Sequence, residues 1–376
     1  MLATIVVAAC SSVVPRTAPA PPSAALPPPP PVQTRAPGGL PEDRERHRVA
    51  LLVPLSGPNA AVGQSIANAA GLALADAGGT TLRITNYDTA AGATAAAQRA
   101  LADGAELFLG PLLAEDVRAV SASATAAHVP VIAFSNDAAA AGAGVWLLGF
   151  SPTQSIERVV RYARSRGLTR FAGLIPQGQY GRGAATTLIR TAEAAGGQVV
   201  AMQTYQRTPK AVATAVAALA KQKYDAVLIA DSGRTAVQIV PLLRKNGGAG
   251  ARLLGTELWN AEPGLNAAPA MTGAWFASVS DATFARLAER YRARYGRTPY
   301  RLASLGYDSV LLTARIARDW KAGRPFPAEA LADPGGFSGV DGAFRFAEGH
   351  VAERALVVHQ MGTGGGTVVS QAPSQF

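Results

Sequence analysis

The chain reads as an α/β protein made of two doubly wound, mostly parallel-sheet lobes. Three observations predict this. Short apolar runs without polar alternation recur along the chain, and such a run is a strand buried on both faces. Each run ends in a polar loop bearing glycine or proline, and most are followed by apolar residues at helical spacing. After Phe150 the pattern starts afresh, and 376 residues leave room for two such units.

The first unit opens with Val49-Ala50-Leu51-Leu52-Val53, which stops at Pro54 and the turn Ser56-Gly57-Pro58-Asn59. Val62, Ile66, Ala69 and Ala73 then mark one helical face, closed by Gly78-Gly79. Strand Leu82–Thr85 runs into the polar loop Asn86-Tyr87-Asp88-Thr89, before a helix carrying Ala96, Ala100 and Leu101. Leu107–Leu109 ends at Gly110-Pro111-Leu112, and Val117, Val120 and Ala124 mark the next helix. Val129–Ala133 ends at Ser135-Asn136-Asp137, and Val145–Phe150 is a fifth strand. Every connection is long enough to cross over, so the sheet is expected to be mostly parallel.

The second unit repeats the scheme. A helix with Ile156, Val159, Val160 and Ala163 inward leads to strand Phe171–Ile175 and the loop ending Tyr180-Gly181. Helix 183–195 ends at Gly196-Gly197, strand Gln198–Met202 follows, and Pro209 opens a helix where a first turn tolerates it. Ala226–Ala230 ends at Asp231-Ser232-Gly233, and Leu253-Leu254-Gly255 ends at Thr256-Glu257. Trp275–Val279 is the last strand of this half. Helices follow at Phe284–Tyr295 and Leu305–Ile316. Gly342–Phe346 and Arg354–His359 read as a β-hairpin or two strands beside a hinge.

Ahead of these units the composition changes. Met1–Ala9 is short and apolar, and Val7-Ala8-Ala9-Cys10 looks like a bacterial lipobox, with Cys10 the lipidated residue. The basic region of a secretory signal is missing, which suggests a start upstream of Met1. Residues 11–46 are Pro- and Ala-rich with an unbroken run Pro27–Pro31, a composition that favours a disordered, extended tether. At about 3.1 Å per residue it would reach on the order of 100 Å. Ser11 after the cysteine resembles the pattern of lipoproteins sorted to the outer membrane.

The formal charge is +10 but scattered, with no run that would mark a nucleic-acid partner. A single cysteine excludes an intrachain disulfide. No cofactor, metal or enzyme constellation emerges. His47, His128, His350 and His359 lack metal-ligand spacing, no G-x-S-x-G is present, and Gly178–Gly183 matches neither a P-loop nor a dinucleotide fingerprint. Asp88, Asp137, Asp231 and Glu257 follow strands and could form an acidic pair, although strand-end carboxylates more often cap helices.

At this point a resemblance applies. The opening VALLVPLSGPNAAVGQ, the stretch LFLGPLLAED, PVIAFSND, Tyr180-Gly181 before a helix, and RLASLGYDSV, in that order, resemble a type I periplasmic binding protein of the leucine-binding group. Closer still, the chain is similar to the penicillin-binding protein activators of proteobacteria. The resemblance implies lobe one over 47–150 and 281–346, and lobe two over 151–280 and 347–362. Residues 1–10 would be a signal remnant and 363–376 a flexible tail. It implies three hinge crossings, near Phe150, Ser278–Asp281 and 346–351. It implies that Ser56, Gly57, Asp88, Gly110, Leu112, Ser135 and Asn136 face a cleft from lobe one, and Tyr180, Asp231, Ser232 and Glu257 from lobe two. The other reading is that these loops cap helices around a cleft that takes no ligand. The function expected is that of a non-enzymatic, periplasmic lipoprotein anchored in the outer membrane. It would regulate peptidoglycan synthesis through a bifunctional penicillin-binding protein partner. The alternative is the solute-binding protein of an ABC importer for a branched-chain amino acid or another small ligand.

Overall fold

The structure, a computed structural model, describes residues 46–260, 262–265, 267–363 and 365–373. The lipobox with Cys10 and the tether up to residue 45 lie outside the described residues.

The first sheet is built from β1 (His47–Val53), β2 (Leu82–Asp88), β3 (Leu107–Leu109), β4 (Val131–Ala133) and β5 (Val145–Leu147). Their order is β2-β1-β3-β4-β5 and all pairs are parallel. Helices α1 (Ala60–Asp76), α2 (Ala93–Ala102) and α3 (Ala114–Ala126) connect them. In β1, Val49, Leu51 and Val53 join one core and Ala50 and Leu52 the other, so the strand is buried on both faces. This is why it reads as an unbroken apolar run. Helix α2 turns Ala93, Ala96, Ala97 and Ala100 inward, an alanine stripe that lets it lie close to the sheet.

The second sheet begins after α4 (Pro152–Ser165). Its strands β6 (Arg170–Pro176), β7 (Gln198–Tyr205), β8 (Ala226–Ile229), β9 (Arg252–Gly255) and β10 (Trp275–Ser278) alternate with α5 (Gln179–Ala194), α6 (Pro209–Leu219) and α7 (Gly233–Leu243). The chain then returns to the first lobe. Helix α8 (Ala282–Tyr295) buries only Leu287 and Tyr291 and stops at Gly296, whose φ of 68° suits a left-handed helix end. Helix α9 (Ala303–Ile316) is buried on nearly every side and contributes Leu305 and Val310 to the first core. The small antiparallel sheet β11 (Phe337–Gly339), β12 (Gly342–Phe346), β13 (Ala352–Arg354) adds Phe344 and Phe346 to it. Finally β14 (Val357–Gly362) and β15 (Gly365–Ser370) extend the second sheet, giving the order β15-β14-β10-β9-β8-β6-β7. The five parallel strands of this sheet repeat the order of the first.

Two placements differ from the sequence reading. The third passage between the sheets falls at Ala355–Leu356, after the expected 346–351, because β13 still pairs with β12. Residues 363–376, expected as a tail, contain β15, which pairs antiparallel with β14.

A shared packing device sets both strand-to-helix turns. Gly63 on α1 lies so close to the Pro54 carbonyl that a Cβ there would sit 1.8 Å from its oxygen. Gly181 on α5 stands in the same relation, 1.8 Å, to the Pro176 carbonyl. Only glycine permits this approach of helix to strand end.

Candidate functional site

In a sheet of order 2-1-3-4-5 a crevice opens at the carboxyl ends of the strands, where neighbouring connections leave to opposite sides. Here two such ends face one another, and a cleft of about 370 Å³ lies between them. Lobe one supplies Asn59 and Val62 after β1, Leu112 and Leu113 after β3, and Phe134 and Asn136 after β4. Lobe two supplies Glu257, Leu258 and Asn260 after β9, and Ser278 at the end of β10. Phe150 and Val279 come from two of the passages between lobes, and Arg301 and Leu302 stand just ahead of α9. The walls are mainly apolar, with a few polar groups converging on them, the usual make-up of a small-molecule site.

Glu257 is the acid of this lining. Its Oε2 accepts a hydrogen bond from Ser155 Oγ at 2.7 Å and its Oε1 one from Tyr180 OH at 3.1 Å. Burial pushes its carboxyl up to about 7 even though these bonds favour the ionised form. Burial and the neighbouring Glu257 carboxyl in turn push the Tyr180 phenol up.

Arg301 is the cation. Its side chain is 7% exposed. Its Nη1 pairs with the fully buried Asp341 at 2.5 Å and donates to Ser304 Oγ at 3.3 Å. Its guanidinium lies over the Phe284 ring, 4.0 Å from the centroid. Behind it, Arg354 donates to the Leu148 carbonyl and covers the other passage residue, Phe150, at 4.8 Å. Asp308 completes the buried group, accepting from the Val340 N–H at 2.7 Å. Burial, then the charge of Asp341, raises its carboxyl well above the ordinary range.

Of the residues expected at the cleft, Leu112, Asn136 and Glu257 line it. Ser56 and Gly57 sit in an exposed turn, where Ser56 Oγ donates to Asp88 Oδ2 at 2.6 Å. Burial opposes ionisation of Asp88, but bonds from Ser56 Oγ and the Ala90 and Leu55 N–H groups outweigh it and hold the carboxyl below its ordinary value. Gly110 turns the chain with a φ of 90° ahead of a cis bond to Pro111. Ser135 is buried and accepts from the Asp137 N–H. Tyr180 stands behind Glu257. Asp231 is buried and taken up by Tyr205 OH at 2.8 Å and Arg207 Nε at 2.9 Å, while Ser232 caps α7 through the Thr235 N–H. Arg301, Phe134, Phe150 and Asn260 were missed. The first stands in a loop where no spacing marks it; the others lie beside strand ends that the apolar runs do locate. Among the described residues no His, Cys, Asp and Glu cluster could hold a metal ion, and no helix is long and apolar enough to cross a membrane.

Solved structures share this fold. A Rhodospirillum rubrum protein assigned to a branched-chain amino acid ABC transporter is 21% identical, with a TM-score of 0.76 over 86% of this chain and 100% of that one. The branched-chain amino acid substrate-binding protein LivJ from Streptococcus pneumoniae, in complex with isoleucine, is 21% identical, with a TM-score of 0.68 over 87% and 100%. A Rhodopseudomonas palustris solute-binding protein in complex with benzoate is 20% identical, with a TM-score of 0.67 over 87% and 97%. An uncharacterized Rickettsia prowazekii protein is 27% identical over 141 residues, 37% of this chain and 38% of that protein. These findings correct the expectation of a penicillin-binding protein activator, with its bifunctional penicillin-binding protein partner and its control of peptidoglycan synthesis. The three solved structures are transporter proteins, two of them solute- or substrate-binding proteins. The motifs behind that expectation belong to the shared strand-loop-helix frame, and a frame does not specify a partner. A family model described as periplasmic binding protein matches residues 47–366, and the chain belongs to that family of non-enzymatic binding proteins.

Proposed function

We propose that the chain is the solute-binding component of an ABC importer and holds a small solute in the cleft between its lobes. The observation that carries this is the position of the cleft, at the carboxyl ends of two facing parallel sheets and lined from both. Isoleucine and benzoate, bound by two of the similar structures, are small molecules with an apolar body. A cleft of about 370 Å³ with Val62, Leu112, Phe134 and Val279 in its walls suits that size and character. The three passages between the lobes then act as the hinge. A solute that touches both lobes favours the closed form by its differential affinity for it. Cys10, outside the described residues, carries the lipid, and residues 11–46 form the tether. The periplasm is where this family works, and Ser11 favours outer-membrane sorting of the anchor.

The test is a thermal-shift and X-ray scattering screen of the full mature chain against branched-chain amino acids and small aromatic acids. A raised Tm with a reduced radius of gyration is the expected result. No shift with any solute, and no small molecule carried through purification as read by native mass spectrometry, would overturn the proposal. For the anchor, Cys10→Ser is expected to move the protein from the membrane to the soluble fraction. Each buried CH₂ of an acyl chain contributes about 0.8 kcal/mol of membrane affinity, so losing the chains removes the hold.

A further inference from the structure

We propose that Arg301 is the anion anchor of the cleft, and that the solute it holds is a small carboxylate with an apolar body. This rests on the solute-binding reading and adds to it the charge of the solute and the residue that recognises it. The guanidinium is fixed on three sides. Asp341, 0% exposed, takes Nη1, Ser304 Oγ takes the same nitrogen, and the Phe284 ring holds the plane. Nε and Nη2 are buried and have no hydrogen-bond partner among the described residues. Those two nitrogens share one edge of the guanidinium. It is the edge a carboxylate meets with two parallel hydrogen bonds. A buried donor left unmade costs free energy, and Arg301 is part of the cleft lining, so this edge, covered in the present structure, asks for an occupant.

The rest of the lining agrees. The lining that lobe one brings after its strands, Leu112 and Leu113 after β3 and Phe134 and Asn136 after β4, includes no hydroxyl that could donate to an anion. Asn59, Asn136 and Asn260 are neutral. Glu257 has both oxygens engaged by Ser155 and Tyr180. One negative group lies near the free edge. Asp281, with 56% of its side chain exposed, places Oδ1 3.5 Å from Nε, beyond hydrogen-bond reach, and accepts from Asn260 Nδ2 at 3.1 Å. An entering carboxylate takes over the position that Asp281 approaches, and Asp281 turns out to solvent.

Calorimetry on the full chain with matched acids and amides tests this: benzoate against benzamide, and 4-methylpentanoate against 4-methylpentanamide. The acids are expected to bind about tenfold or more tighter than the amides, the scale of a hydrogen bond to a charged group. Arg301→Gln paired with Asp341→Asn, which removes one buried charge of each sign, should erase that preference. Asp281→Asn, on the exposed side, should tighten the acids severalfold and leave the amides alone. Amides binding as tightly as acids to the unaltered chain would overturn the anchor and leave the solute-binding reading standing. A folded double variant that keeps the preference would do the same. No binding of any acid, amide or amino acid would overturn both.

Discussion

The two lobes share a strand order and a strand-to-helix turn, yet they bring different chemistry to the cleft. In lobe two the polar side chains near the strand ends bind one another. Tyr180, Ser155 and Glu257 form one group, and Tyr205, Arg207 and Asp231 another. In lobe one the corresponding loops present Leu112, Leu113 and Phe134, and the nearby charge comes from Arg301, in the return of the chain to that lobe. A common frame, then, leaves the loops free to carry chemistry, and equivalent positions need not do equivalent work.

Where the lobes share geometry they should fail alike. Gly63→Val and Gly181→Val each force a Cβ into a backbone carbonyl, and each is expected to cost about 3 kcal/mol or more in urea unfolding. A costly change in one lobe with a mild one in the other would break the equivalence. Each lobe buries a carboxyl held above its ordinary range, Glu257 in lobe two and Asp308 in lobe one, and substitution separates their pH responses. Glu257 ionises near its ordinary 4.5 when unfolded and near 7 when folded. Between those values the folded chain keeps a proton that the unfolded chain releases, so its stability falls as pH rises and levels off above about 7. Glu257→Gln should flatten that fall by on the order of 2 kcal/mol. Asp308, raised in the same direction by burial and Asp341, keeps some slope in the variant. Thermal melts at pH 5 and 7.5 read the difference. Tyr180→Phe, which removes bonds to Thr256 and Glu257, should cost about 1 kcal/mol. On the lobe-one surface, Arg118→Ala breaks an ion pair with Asp137 whose arginine is 55% exposed. It should change stability by less than about 0.5 kcal/mol.

The sequence shows the frame because its cause is local. A strand buried on both faces must be apolar throughout, as Val49–Val53 is, and a helix packed on it must repeat its apolar face, as α2 does. The loops after strands are legible for the same reason, which is how Leu112, Asn136 and Glu257 come into view. What a loop side chain does is decided elsewhere. Ser56 is claimed by Asp88, 32 residues on, and Asp231 by Tyr205, 26 residues back. Arg301 owes its setting to Asp341 and Phe284, and no periodicity links the three. β15 escaped because Gly365–Ser370 carries little apolar signal, its order coming from main-chain pairing with β14.

The return of the chain to lobe one has a consequence for assembly. His47, at the start of β1, stacks on Trp320 with ring centroids 3.6 Å apart and bonds its carbonyl, a contact spanning 273 residues. The first core also needs Leu305, Val310 and Phe344. A chain emerging from its amino end therefore displays β1 long before α9 and β12 exist to cover it. Lobe two also awaits a late element, but over a shorter span, since its cores take Val358 and Met361 from β14. Contacts of such long separation form slowly, because loop closure precedes any gain. The half synthesised first thus waits longest for its cover, and the apolar face of β1 stays open to chaperones, or to neighbouring chains, for most of that interval.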